Sequence, residues 1–224
     1  MLSAKQGRKI NTYVPDYVVY DLETTGTNPQ TDEVVEIAGI KVQDGKVVEE
    51  FSTLVNPGIP IPDEASSVNE IYDDMVADSP DFEAALKDFM DFAGDRVLVG
   101  HNIHRFDMHF IWRDAQKFWG RTIGNNYIDT LHIAQMYLPQ LRSHSLVKLA
   151  WHYGVYSGEA HRALADCRMN QQVFECLREE MEHPAAEVKI CPRCGGFLKK
   201  RNGRFGEFWG CEGYPECRYT ENAR

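Results

Sequence analysis

The chain has 224 residues, 43% of them hydrophobic, a formal net charge of −10 and six cysteines. That length suits one medium domain plus a small module, and that apolar share suits a globular core. No run of 18 apolar residues and no signal-peptide pattern is present, which excludes a membrane-spanning helix and makes a soluble cytoplasmic protein the expectation. The charge is uneven. Residues 188–224 hold 8 Lys+Arg against 4 Asp+Glu, so the acidity lies in the rest of the chain. An acidic domain grips nucleic acid weakly, and a basic tail can compensate.

In chain order, residues 1–14 read as a flexible N-terminal arm. Tyr17-Val18-Val19-Tyr20 follows as a β-strand, rich in β-branched and aromatic residues. Side chains on a strand alternate faces, so Asp21 and Glu23 project to one side and Leu22 to the other. Thr24-Thr25-Gly26 then breaks the strand. Two carboxylates spaced in this way can share a hard cation through oxygen ligands. Alone, they also fit a solvated strand end. Residues 34–42 and 47–55 read as strands joined at Asp44-Gly45, a hairpin signal. With the first strand they make a three-stranded meander. Ser79-Pro80 reads as the N-cap and first position of a helix running through Phe92.

Residues 97–101 read as a buried strand. Asn102 follows, and residues 105–119 carry Phe106, Phe110, Ile111 and Phe118 at helical spacing. Asp107 falls near that helix start, close to the strand end. A short strand at Tyr127-Ile128 and helices over 130–137, 145–153 and 162–182 complete an α/β layout. His161 and Asp166 are five residues apart, about 140° on one helix, so they converge only if His161 lies in the preceding loop. Carboxylates suit Mg²⁺ or Mn²⁺, two such ions can clamp an in-line phosphoryl displacement, and a histidine can take the attacking water's proton.

The blocks "YDLETTG", "GHNIHRFD" and "HRALAD" occur in that order. On them, the segment from about 16 to 182 resembles the DEDDh branch of the DnaQ-like 3′–5′ exonucleases, relatives of the proofreading epsilon subunit of bacterial DNA polymerase III. The stretch "FSTLVNPGIPIPDEASSVNEIYDDMV" is similar to that family's linking segment. The resemblance implies an RNase H-like mixed five-stranded sheet flanked by helices. It implies that Asp21, Glu23 and Asp166 hold one metal, that Asp21 bridges to a second with Asp107 in its shell, and that His161 is the general base. It also places Thr24 and the Leu22 main chain against the terminal nucleotide, and Asn102 and Phe106 beside the substrate. The substrate it implies is mostly single-stranded, 3′-ended DNA, cut to nucleoside 5′-monophosphates during proofreading, repair or end trimming. An exoribonuclease with the same chemistry and a catalytically silent adaptor remain open, as does partnership with a polymerase or repair protein.

The tail carries Cys191, Cys194, Cys211 and Cys217. Their spacing suits one structural zinc held by four thiolates; two disulfides are the alternative, and nothing suggests secretion. "CPRCGG" and "FGEFWGCEGYPEC" resemble the zinc ribbon in the tails of bacterial type IA topoisomerases, which implies contact with single-stranded DNA. Lys199, Lys200, Arg201 and Arg204 supply charge for phosphates, and Trp209 is a candidate stacking face. The expected layout is an exonuclease domain over 15–183, a linker over 184–189 and a zinc ribbon over 190–224.

Overall fold

The computed structural model describes residues 2–156, 158, 162–204 and 206–223. In chain order the elements are β1 (Leu2–Ser3), β2 (Tyr17–Thr24), β3 (Val34–Gln43), β4 (Lys46–Leu54), α1 (Asp63–Asn69), α2 (Asp73–Val76), α3 (Phe82–Ala93), β5 (Val97–Gly100), α4 (Asp107–Trp119), β6 (Thr122–Ile123), β7 (Tyr127–Asp129), α5 (Thr130–Tyr137), α6 (Leu146–Tyr153) and α7 (Ala163–Glu182). The tail adds β8 (Lys189–Ile190), β9 (Phe197–Gly203), β10 (Gly206–Cys211) and β11 (Thr220–Asn222).

The central sheet has five strands in the order β4-β3-β2-β5-β7. The meander β2–β3–β4 is antiparallel, and β5 and β7 add in parallel. Alternation along β2 divides the core. Tyr17 and Val19 face α5, α6 and α7, with Leu149, Val173 and Phe174. Val18, Tyr20 and Leu22 face α3 and α4, with Phe89, Phe110 and Ile111. The face bearing Tyr17 and Val19 is therefore the one that Asp21 and Glu23 continue, toward the start of α7.

Three local expectations change. The capping residue of α3 is Asp81, whose carboxylate accepts from Ala84 N at 2.9 Å, so the helix starts two residues after Pro80. The linking segment contains the short helices α1 and α2, for which the sequence pattern gave no period. Residues 2–11 are not a loose arm. β1 pairs with β6, Gly7 N and Ile10 N bond to Ile123 O and Tyr127 O, and Asn11 is buried. Ile10 packs against the α7-side core, which supplies the reason.

The tail is docked onto the domain built on the five-stranded sheet. Phe197 is 0% exposed and belongs to the α7-side core, with its ring centroid 5.0 Å from His132 and 6.0 Å from Tyr137. Glu212 takes His132 Nε2 at 2.9 Å and Lys9 Nζ at 3.5 Å, and Asn11 Nδ2 donates to Gly195 O at 2.9 Å. Among the described residues, no helix is long and apolar enough to cross a membrane.

Candidate active site

Asp21 and Glu23 sit on consecutive same-face positions of β2, opposite Ala38 and Glu36 of β3. Like charges facing each other across strands are destabilising, and the pair Glu23–Glu36 is tolerated because Glu36 is neutralised. Arg162 forks onto it through Nε and Nη2, each 3.1 Å from a carboxylate oxygen, and Ala163 N donates at 3.3 Å. Glu36 is 3% exposed. Arg162 is the N-cap residue of α7. The clamp therefore fixes the first turn of α7 against the sheet and brings Asp166, one turn in, over the strand end. The carboxylate oxygens of Asp21, Glu23 and Asp166 lie within 4.8 Å of one another.

Asp107 arrives from the other side of the strand. It is the first residue of α4, 2% exposed, and its Oδ1 accepts Leu22 N at 3.2 Å. That bond ties α4 to the strand residue lying between Asp21 and Glu23. Asp129, the N-cap of α5, holds the preceding loop by accepting Asn102 N at 3.0 Å and His104 N at 3.1 Å. Asn102 itself has a positive φ of 65°. Gly100 must be glycine here, because a Cβ would lie 2.1 Å from Ile103 Cγ2, where the loop folds back on its strand.

Burial first, and then the crowding of unbalanced carboxylates, governs the electrostatics. Asp21 is pushed well above the usual carboxylate range by burial first, then by Asp107, Glu23 and Asp166. Glu23 is pushed up to about 8 by burial, Asp166, Glu36 and Asp107, with Arg162 opposing. Burial raises Asp107 to about 7 against the pull of main-chain N–H groups, that of Leu22 among them. Oxygen donors this close, repelling one another, form the donor set that a hard divalent cation stabilises.

The other expected residues fall as follows. His161 lies outside the described residues. The Leu22 amide is engaged by Asp107, and the Thr24 hydroxyl donates to Gly26 O at 2.6 Å. Phe106 packs at the edge of the α4-side core, 5.2 Å from Phe110. Other histidines are engaged by neighbours: His101 meets Thr130 Oγ1 at 3.0 Å, His104 meets the Tyr127 hydroxyl at 2.7 Å, and His144 meets Leu138 O at 2.9 Å. Glu36 and Arg162 are site residues that the sequence reading missed. The one available signal was a lone glutamate inside the apolar strand Val34-Val35-Glu36-Ile37-Ala38.

In the tail, the Sγ atoms of Cys191, Cys194, Cys211 and Cys217 lie within 4.8 Å of one another. The pairs Cys194–Cys211 and Cys191–Cys217 are 3.3 and 3.8 Å apart, and all four residues are free thiols. A tetrahedron with Zn–S of about 2.3 Å has edges of about 3.8 Å, so the Cys191–Cys217 edge matches zinc and the Cys194–Cys211 edge needs only to open slightly. Lys199, Lys200, Arg201 and Arg204 are exposed. Trp209 does not offer a stacking face. It is 7% exposed in the ribbon core, with the ammonium groups of Lys189 and Lys200 over its ring at 5.1 and 5.3 Å. A module this small has few apolar residues to bury, and its tryptophan is spent there.

Residues 18–174 match the Exonuclease family model. The chain belongs to that family. The Exonuclease family is divalent-metal dependent, which agrees with the acidic cluster. Residues 188–224 match the topoisomerase DNA binding C4 zinc finger. Among curated relatives, the DNA polymerase III subunit epsilon of Aquifex aeolicus is 34% identical over 165 residues, covering 74% of this chain and 81% of that protein. A PolC-type DNA polymerase III from Clostridium perfringens is 35% identical over 171 residues, 75% of this chain, and the match spans only 12% of that much longer protein. Among solved structures, exonuclease X in complex with 5′ overhanging duplex DNA superposes with a TM-score of 0.61 at 26% identity, covering 75% of this chain and 95% of that one.

Proposed function

We propose that the protein is a metal-dependent 3′–5′ exonuclease that removes nucleoside 5′-monophosphates from 3′ ends of mostly single-stranded DNA. The observation that carries this reading is the meeting of Asp21, Glu23 and Asp166 within 4.8 Å at the end of β2. Asp107 stands beside them on the Leu22 amide. Asp21, Glu23 and Asp166 would hold one Mg²⁺ or Mn²⁺, with Asp21 and Asp107 serving a second. When bound, such a pair supplies charge stabilisation to the attacking and leaving oxygens of an in-line displacement. The chain's own groups do the rest. His161 would take the proton of the attacking water. Glu36 and Arg162 hold Asp166 in register with β2. The Leu22 carbonyl and Thr24 flank the terminal nucleotide.

Lys199, Lys200, Arg201 and Arg204 of the ribbon would meet strand phosphates, and the four thiolates would hold one zinc. Free thiols in this number suit a reducing cytoplasm. The epsilon-type relatives make a polymerase a candidate partner. The test is degradation of 5′-labelled single-stranded DNA, duplex DNA and RNA with Mg²⁺ or Mn²⁺. Stepwise shortening from the 3′ end, fastest on single-stranded DNA, is the expected result. No shortening of any substrate by folded, metal-supplied protein would overturn the reading, and faster loss of the RNA would reassign the substrate.

A further inference from the structure

Where the ribbon meets the exonuclease domain, a groove of about 500 Å³ opens between them. Lys9, His104 and Arg105 line one wall, and Lys199 and Gly196 of the ribbon line the other. Asn102 stands at the near end, on the loop that leads directly into Asp107 of the acidic site. Two carboxylates also line the groove, and both are engaged. Asp129 accepts the main-chain N–H groups of Asn102 and His104, and Glu212 faces Lys9 and His132. Arg105 is exposed, and Lys199 reaches Glu212 only at 4.0 Å, so their charge is directed largely to solvent.

Side chains alternate along β9, so Phe197, Lys199 and Arg201 share a face. Phe197 is locked in the domain junction, Lys199 lines the groove, and Arg201 lines a second concavity of about 240 Å³. That concavity presents Phe208, Tyr214, Tyr219 and Arg218. Four residues of strand span about 13 Å, so the two hollows follow one another along one ribbon face. Cations followed by ring faces form the combination that holds a single strand without reading its sequence.

We propose that this composite groove is a track for the substrate strand. Arg105 and Lys199 grip phosphates on the 5′ side of the scissile nucleotide, and the strand passes on to the hollow of Arg201, Phe208 and Tyr214. The inference rests on the exonuclease reading above and extends it. Because the ribbon is fixed by Phe197, the distance from acidic site to ribbon is fixed too. The enzyme then favours strands long enough to reach across, and the ribbon acts as a length gauge.

The experiment measures kcat/KM of the full-length, zinc-loaded protein on oligothymidylates from trimer to 20-mer, with anisotropy of the same 5′-labelled strands on zinc-loaded protein in buffer without Mg²⁺, Mn²⁺ or chelator, where no cleavage is expected. The ratio of 20-mer to trimer kcat/KM should fall on the order of tenfold in the double variant Arg105→Glu/Lys199→Glu, and the log–log salt slope should lose about 1.4 for two single-strand phosphate contacts. Lys46→Glu, on the far edge of the sheet, controls for net charge and should leave the ratio alone. The milder pair Arg105→Ala/Lys199→Ala should shift it in the same direction if charge reversal disturbs folding. A ratio and slope untouched by either pair would overturn the track while leaving the exonuclease reading standing. Length-dependent binding by the zinc-loaded protein that these variants abolish, with no cleavage by the parent when Mg²⁺ or Mn²⁺ is supplied, would keep the track and sink the exonuclease reading.

Discussion

At the scale of single residues, the site depends on charges that oppose one another until a cation arrives. Asp166→Asn removes one donor and should lower cleavage by orders of magnitude, because metal assistance supplies most of the barrier reduction. Near-normal turnover in a folded Asp166→Asn protein would remove the acidic cluster from the chemistry. Arg162 tests a different role, since its guanidinium forks onto Glu36. Losing a residue that orients ligands typically costs about 10–100-fold in metal affinity or activity. Arg162→Ala should therefore raise the Mn²⁺ concentration needed for half-maximal rate by that order, and Arg162→Lys should recover part of it. A lowered rate at saturating Mn²⁺ with an unchanged metal requirement would instead make Arg162 a substrate contact. The Glu36–Arg162 pair spans 126 positions in the chain. No local pattern announces such a contact, which is why the clamp escaped the sequence reading, whereas the acidic residues that the structure gathers, Asp21, Glu23 and Asp166, lie in short motif blocks.

At the scale of elements, β2 and α4 bring to the site carboxylates held above their usual range, and this couples folding to pH. Glu23 titrates at about 8 and Asp107 at about 7 in the folded metal-free chain, by burial above all. An unfolded carboxyl titrates near 4. Between those values the folded state holds more protons than the unfolded one, so stability falls as pH rises. Zinc-loaded protein without Mg²⁺, Mn²⁺ or chelator should melt on the order of 5 °C lower at pH 8 than at pH 5.5. Mg²⁺ or Mn²⁺ should restore more at pH 8, where the donors are ionised. A melting point of the Mg²⁺- and Mn²⁺-free protein that rises over this interval would contradict the burial of these carboxyls. The elements themselves were legible where a period was long enough to read. β2, β3, β4 and α7 appear where alternation or helical spacing placed them. α1 and α2 are seven and four residues long, too short for a period. The start of α3 was misplaced because Ser79-Pro80 imitates a cap, whereas Asp81 makes the bond to Ala84 N.

At the scale of the whole molecule, the cysteine spacing revealed the ribbon but not its attachment. Read from sequence, residues 184–189 are a linker and the ribbon a separable module. In the structure Phe197 fills the core formed by α5, α6 and α7, and Glu212 gathers His132 and Lys9 from the exonuclease domain. Phe197 is aromatic in a sequence window that also supplies the ribbon's own Leu198 and Trp209, so its outward face could not be told from its inward one without the register. Docking of this kind joins the two units thermodynamically. Phe197→Ala deletes a fully buried ring at the junction and should cost about 3 kcal/mol or more, with zinc still bound because the four thiolates are untouched. Stripping zinc should act further, since a ribbon without its metal loses its fold and uncovers Tyr137 and Leu138. Chemical denaturation of the zinc-loaded chain should then show one cooperative transition, read alike by tryptophan fluorescence and by far-UV signal. Phe197→Ala should shift its midpoint or split it in two. Two transitions in the parent protein, with the exonuclease midpoint indifferent to Phe197→Ala and to zinc removal, would mean that the ribbon is tethered and not built in.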